Sequence, residues 1–225
     1  MAINLTKGQK IDLRKESGEK LTNFCVGVNW GAIETVKKGL FGSRKVVEDV
    51  DLDLSCIMID GGGNLLDHIY SPDYNNFLQK NNLPLGKLSS NDGALKHSGD
   101  DRQGDKGGDD GLDNEIITVD LNSLNPSVSK IFFFINIYLN QGQSFDFSNI
   151  PYAKIRMYEG TPHKVNAVFS QYDIATDASF AGKRALVLGK LYKRNNDWKF
   201  DAIGDPTDDA IFLQTIQLIL DKYAK

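Results

Sequence analysis

The chain has 225 residues, 40% of them hydrophobic and 25% charged, and a formal net charge of −4. That is ordinary globular composition, long enough to bury a sizeable core without covalent staples. It excludes a disulfide scaffold or cysteine-type zinc site, since Cys25 and Cys56 are the only cysteines and each sits in an apolar run. Mild acidity argues against nucleic acid as a partner, because that needs a basic footprint. The opening MAINLTKGQKIDL has no apolar signal core, and no apolar run approaches a bilayer span. The expectation is a cytoplasmic protein without a transmembrane segment.

In chain order, residues 3–14 predict two short strands around Lys7-Gly8, with Ile11 and Leu13 alternating against polar neighbours. The run FCVGVNW (24–30) is nearly continuous apolar, as a strand buried on both faces would be. Residues 31–48 mix glycines and basic residues and read as a loop or hairpin excursion. The run VDLDLSCIMI (50–59) alternates in its first half, putting Asp51, Asp53 and Ser55 on one face and Leu52, Leu54 and Cys56 on the other. Two aspartates on one strand face are costly to bury unless a cation or donors satisfy them. A glycine turn at 61–63 leads into a returning strand at 65–70, and residues 74–90 read as irregular. Strands follow at 115–121 and 130–139, the second the most hydrophobic and central. Further strands are predicted at 151–158, 165–173, 184–194 and 198–203, with Asn195-Asn196-Asp197 as a tight turn. At the end, Asp205 caps a predicted helix with Pro206 at its first position, and apolar residues recur at helical spacing over 207–223. About ten short strands and one terminal helix predict an all-β fold, a β-sandwich, with a closed barrel as the alternative. With no repeat and no long linker, residues 1–225 are expected to form a single domain.

Chemistry concentrates between Gly99 and Glu115. That stretch holds seven carboxylates: Asp100, Asp101, Asp105, Asp109, Asp110, Asp113 and Glu115. Only Arg102 and Lys106 oppose them, so it carries −5, and the remainder of the chain is near neutral. Its five glycines permit tight, positive-φ turns, and inward-folded carboxylates suit a hard cation such as Ca²⁺ or Mg²⁺. The alternative is a solvated, disordered acidic loop. The stretch fits neither the helix–loop–helix calcium pattern nor a calcium β-roll repeat. Seven carboxylates supply oxygens for two calcium ions at about 6–8 each, with Asp51 and Asp53 adding to the set.

Other motifs point more weakly. His97-Ser98 beside Asp100 suggests a hydrolytic triad, but triad members come from separate parts of a fold. His97 is better read as a hydrogen-bonding residue at the loop base. Gly61-Gly62-Gly63 lacks a following helix for phosphate, and the pairs Lys37-Lys38, Arg44-Lys45 and Lys193-Arg194 read as solvated surface. Phe132, Phe133, Phe134 and Trp198 are core candidates.

Taken together, INLTKGQKIDL, VGVNW, VDLDLSCIMID, KHSGDDRQGDKGGDD, NEIITVDL, FSQYDI and LGKLYKRNNDWKFDAIGD resemble the TerD family of tellurium-resistance and stress-response proteins. The resemblance spans almost the full length. It implies a β-sandwich that binds calcium through the acidic loop and acts in cytoplasmic resistance to tellurite, other chemical stress or phage, without an established enzymatic activity. The expectation built on it is a calcium-ordered, non-catalytic interaction module for a protein partner. It matches Asp51 and Asp53 to the family's Asp-Leu-Asp strand, and Asp100, Asp101, Asp109 and Asp110 to its acidic-loop positions. Gly111 replaces the glutamate that usually follows the Asp-Asp pair, and Asp113-Asn114-Glu115 repeats the pattern. Two registers for closing the site therefore remain open. The rival expectation is a Mg²⁺- or Ca²⁺-dependent hydrolase or phosphoryl-transfer enzyme using the same carboxylates. Sequence leaves the partner and the oligomeric state open.

Overall fold

A computed structural model describes residues 2–15, 17–39, 42–174, 178–195 and 197–224. Asn196, the middle of the expected turn, lies outside them. In chain order come strands β1 (Ile3–Asn4), β2 (Lys10–Asp12), β3 (Asn23–Trp30), β4 (Ile33–Gly39) and β5 (Gly42–Glu48). β6 (Asp51–Ile59) and β7 (Leu65–Ile69) precede helix α1 (Asn75–Lys80). β8 (Leu95–His97) and β9 (Glu115–Asp120) bracket the acidic loop. β10 (Lys130–Tyr138), β11 (Ala153–Thr161), β12 (Lys164–Asp173), β13 (Ala185–Arg194), β14 (Asp197–Asp201) and β15 (Asp205–Thr207) follow, and helix α2 (Phe212–Lys222) ends the chain.

The described strands form two large sheets, ordered β1-β12-β11-β3-β9-β8 and β2-β14-β13-β10-β6-β7 with β15 added on β13, and a third, two-stranded sheet of β4 and β5. This is an open sandwich rather than a closed barrel. Alternation decides what fills it. Val26, Val28 and Trp30 of β3 meet Leu52, Leu54, Cys56 and Met58 of β6 and Ile131, Phe133 and Ile135 of β10 between the sheets. The opposite face of the second sheet is also apolar and is covered by helix: Ile57, Phe132, Phe134 and Val187 pack against Phe212, Ile216 and Ile219 of α2 and Leu78. Hence every residue of β6 is buried. Both cysteines are free and buried.

Three expectations are corrected. Fifteen strands rather than ten are present among the described residues, because several are two- or three-residue pieces below any periodicity signal. The segment at 74–90 is not wholly irregular, since it contains α1. The C-terminal helix starts at Phe212, not at Pro206. Residues 205–207 instead pair with Val187, Leu186 and Ala185 of β13, where proline is tolerated because, among the described residues, β15 has no strand on its other side. At the helix start the Gln214 side chain reaches back to receive the Ala210 and Ile211 N–H groups at 2.8 and 3.2 Å. The excursion at 31–48 is the isolated β4–β5 hairpin.

Ile219, on the buried face of α2, is 0% exposed, whereas Val36 on the hairpin is 66% exposed. Ile219→Ala is expected to cost about 2–4 kcal/mol in chemical denaturation, and Val36→Ala less than about 0.5 kcal/mol.

Candidate metal centre

The first half of β6 turns Leu52 and Leu54 into the core and Asp51 and Asp53 outward, beneath the turn preceding α1. Across the ladder Asp51 faces Tyr138 and Asp53 faces Asn136. Asp51 is 9% and Asp53 3% exposed. Tyr74 donates its hydroxyl to Asp53 Oδ2. Asp100, at the start of the acidic loop, completes a group in which one oxygen from each of Asp51, Asp53 and Asp100 lies within 4.8 Å of the others. Arg102 Nε holds Asp100 at 2.8 Å and its Nη2 reaches Asp73. A cleft of about 350 Å³ opens onto this group.

A second group lies further along the loop, where Asp105, Asp109 and Asp110 bring one oxygen each within 4.8 Å of one another. The loop is stitched here to the end of β3. Asp105 N–H donates to Trp30 O at 2.9 Å, and Ala32 N–H donates to Asp105 O at 2.9 Å. Asn29 Nδ2 donates to Asp105 Oδ2 at 3.2 Å and to the Leu112 carbonyl, and Tyr152 donates to Asp105 Oδ2 at 3.0 Å.

The other carboxylates have protein partners. Glu115 points between the sheets, 1% exposed, and accepts the Leu54 N–H at 2.6 Å and the Asp101 N–H at 3.2 Å. Asp101 Oδ1 receives the Gln103 N–H at 2.9 Å, forming a turn in the loop. Asp113 is gripped by Arg156 Nε at 2.8 and 3.0 Å, and a Cβ on Gly27 would fall 2.1 Å from its Oδ2. Gly27 thus makes room for that ion pair. Of the two registers, the structure places Asp109-Asp110 in a carboxylate group and commits Asp113 and Glu115 elsewhere.

His97 holds the loop base. Its Nδ1 accepts the Gly99 N–H at 3.0 Å, leaving Nε2 to donate to Leu54 O at 3.1 Å. Ser98 Oγ meanwhile accepts the Ile116 N–H at 3.0 Å. These bonds tie the pair to backbone and do not form a triad.

The TerD domain model matches residues 1–217 of this sequence. The chain belongs to the TerD family. It is 32% identical over 214 residues to the stress response protein SCP2 of Bacillus subtilis (strain 168), covering 93% of this chain and 95% of that protein. The tellurium resistance protein TerD of Serratia marcescens is 30% identical over 204 residues, covering 91% and 90% of the two chains. The crystal structure of a homologue of the telluride resistance protein (TerD) from Streptomyces coelicolor A3(2) shares the fold, with a TM-score of 0.58 at 16% identity over 91% of this chain and 98% of that one.

Within this TerD domain the loop end concentrates buried acidic groups whose charged forms are costly. Burial, then the neighbouring charges of Asp53, Asp100 and Glu115, pushes Asp51 up to about 9. Burial and the Glu115 charge hold Asp53 well above the usual carboxylate range, and burial does the same to Glu115. Burial raises Asp113 to about 6 even against Arg156, and lowers His97 to about 4, so His97 is neutral. Asp51 Oδ1 and Asn29 Oδ1 are buried with no hydrogen-bond partner. Both are hard oxygen donors beside a carboxylate group, which fits calcium or magnesium and not a soft metal. Sequence reading missed Asn29, a polar residue in an otherwise apolar strand, and Tyr74, which fell in the segment read as irregular. The first carried a visible signal; the second did not.

For protein stripped of divalent ions, the folded state holds more protons than the unfolded chain between the ordinary carboxylate pKa of about 3.9 and the raised values, so stability falls as pH rises through that window. Melting temperatures in chelator are expected to drop from about pH 7 to about pH 9, above the range where His97 titrates, and saturating calcium should flatten the drop. A flat profile in chelator would contradict the buried, protonated carboxylates.

Proposed function

We propose that this TerD domain binds calcium at its two carboxylate groups and works in the stress response as a calcium-ordered, non-catalytic module offering its loop end to a protein partner in the cytoplasm. Asp51, Asp53 and Asp100 would hold one ion and Asp105, Asp109 and Asp110 the other. The observation that carries this reading is the buried Asp51 Oδ1, left without a partner beside buried Asp53. A cation there removes the cost of both groups at once. The names of the relatives, a stress response protein and a tellurium resistance protein, support the biological setting. No described helix is long and apolar enough to cross a membrane.

Calorimetric titration of chelator-stripped protein tests the reading. Calcium is expected to bind at about micromolar Kd or tighter, and calcium at 100-fold above Kd should add about 2.7 kcal/mol of stability. Asp51→Asn should remove one binding event and the Asp109→Ala, Asp110→Ala double variant the other. The cleft at the first group favours a second reading, a magnesium-dependent hydrolase or phosphoryl-transfer enzyme whose ion keeps open positions. Magnesium binding as tight as calcium would shift the balance to it. No heat from either ion would end both.

A further inference from the structure

The β4–β5 hairpin pairs with no other strand among the described residues. Each of its strands has seven residues, so the ribbon is about 20 Å long. A lone two-stranded ribbon is marginal in water. Its root lies between the two carboxylate groups. Ala32, just before β4, donates its N–H to Asp105 O at 2.9 Å, and β6 opens with Asp51 soon after β5 ends.

Lys37-Lys38 and Arg44-Lys45 read in sequence as separate solvated pairs, and the hairpin brings them together. Its register sets Lys37 opposite Arg44, Lys38 opposite Ser43 and Val36 opposite Lys45. Like charges at one cross-strand position cost stability. Lys45 is answered by Glu34, while Lys38 and Arg44 are exposed and form no ion pair among the described residues. Residues 33–48 hold four basic and two acidic side chains, a formal +2. Val36 and Val47 share the face of Lys38 and are 66% and 41% exposed. The acidic loop is the converse surface. Asp109 and Asp110 are exposed on it, and Leu112 beside them is 38% exposed.

We propose that the hairpin and the acidic loop are the two halves of a dimer interface, each hairpin of a two-fold pair lying on the acidic loop of the other copy. A positive and a negative patch side by side are self-complementary about a two-fold axis, because each contact is made twice. Lys38 and Arg44 gain the carboxylates of Asp109 and Asp110, and Val36 and Val47 meet Leu112. The charge of the loop selects this occupant. An unrelated anion docking on the hairpin is repelled by the −5 loop at its root, whereas a second copy brings its own basic hairpin to that loop. The inference needs no metal, and calcium at these carboxylates would compete with the hairpin.

Sedimentation velocity of the intact chain in chelator tests it. In about 50 mM salt a dimer is expected with a Kd of about 10 μM or tighter. Raising salt to about 0.5 M, where screening acts within a few ångströms, should weaken it about ten-fold or more. Lys38→Glu with Arg44→Glu, which alters exposed side chains only, should give a folded monomer by circular dichroism, and Asp110→Lys a monomer as well. Mixed together, these two variants should form a heterodimer, because both of their mutual contacts are complementary while each repels its own kind. A monomer at every concentration, a dimer indifferent to salt or to the hairpin charges, or no heterodimer from two folded variants would overturn the proposal. So would a monomer that uses the hairpin to bind phosphatidylserine vesicles. Calcium that binds by calorimetry should dissociate the dimer, and calcium bound to an intact dimer would take the loop out of the interface. If calcium does not bind, the metal reading fails, and the salt and charge-swap results still decide this one.

Discussion

Asp51, Asp53 and Glu115 crowd the same end of the sandwich with almost no access to water, and the folded chain has to offset that concentration of like charge. Two different solutions appear side by side. Glu115 is satisfied from within by the Leu54 and Asp101 N–H groups, and Asp113 by Arg156. The Asp51 and Asp105 groups also take internal donors, Tyr74 on Asp53, Arg102 on Asp100, and Asn29, Asn114 and Tyr152 on Asp105, yet an orphaned oxygen stands at each: Asp51 Oδ1 and Asn29 Oδ1. Those orphaned oxygens distinguish the two groups from Glu115 and Asp113, each of whose carboxylate oxygens has a donor.

The fold creates the crowding through strand alternation. The same period that sends Leu52 and Leu54 inward sends Asp51 and Asp53 outward, and on β9 it sends Glu115 inward with Ile117 and Val119. The loop joining β8 to β9 must then cross the end of the sandwich. Trp30 fixes its path. The indole Nε1 donates to Val50 O at 2.7 Å, while Gly104 lies against the ring so closely that a Cβ would fall 2.5 Å from it. Gly104 also has φ +67°, so both space and backbone conformation require glycine there.

Much of this was legible in the residues. The Asp-Leu-Asp alternation, the charge concentrated at 99–115 and the apolar strands at 24–30 and 130–139 all carry local signals that tertiary packing reinforces. What could not be read was the sorting of the carboxylates, because it is decided by residues distant in sequence. Arg156 claims Asp113 only because β11 pairs with β3 beside Gly27. The helix start at Phe212 was hidden for a related reason: Asp205 and Pro206 form a good local cap signal, but pairing with β13 outweighs it.

The central proposal is that this end of the sandwich is completed by divalent cations. A crystal structure of the calcium-soaked protein, with ions located by anomalous scattering, tests it most directly. The account predicts one ion among Asp51, Asp53 and Asp100 and another among Asp105, Asp109 and Asp110, with Asp113 still on Arg156 and Glu115 still on Leu54. An ion bound instead by Asp113 and Glu115, or no ion at either group, would contradict it.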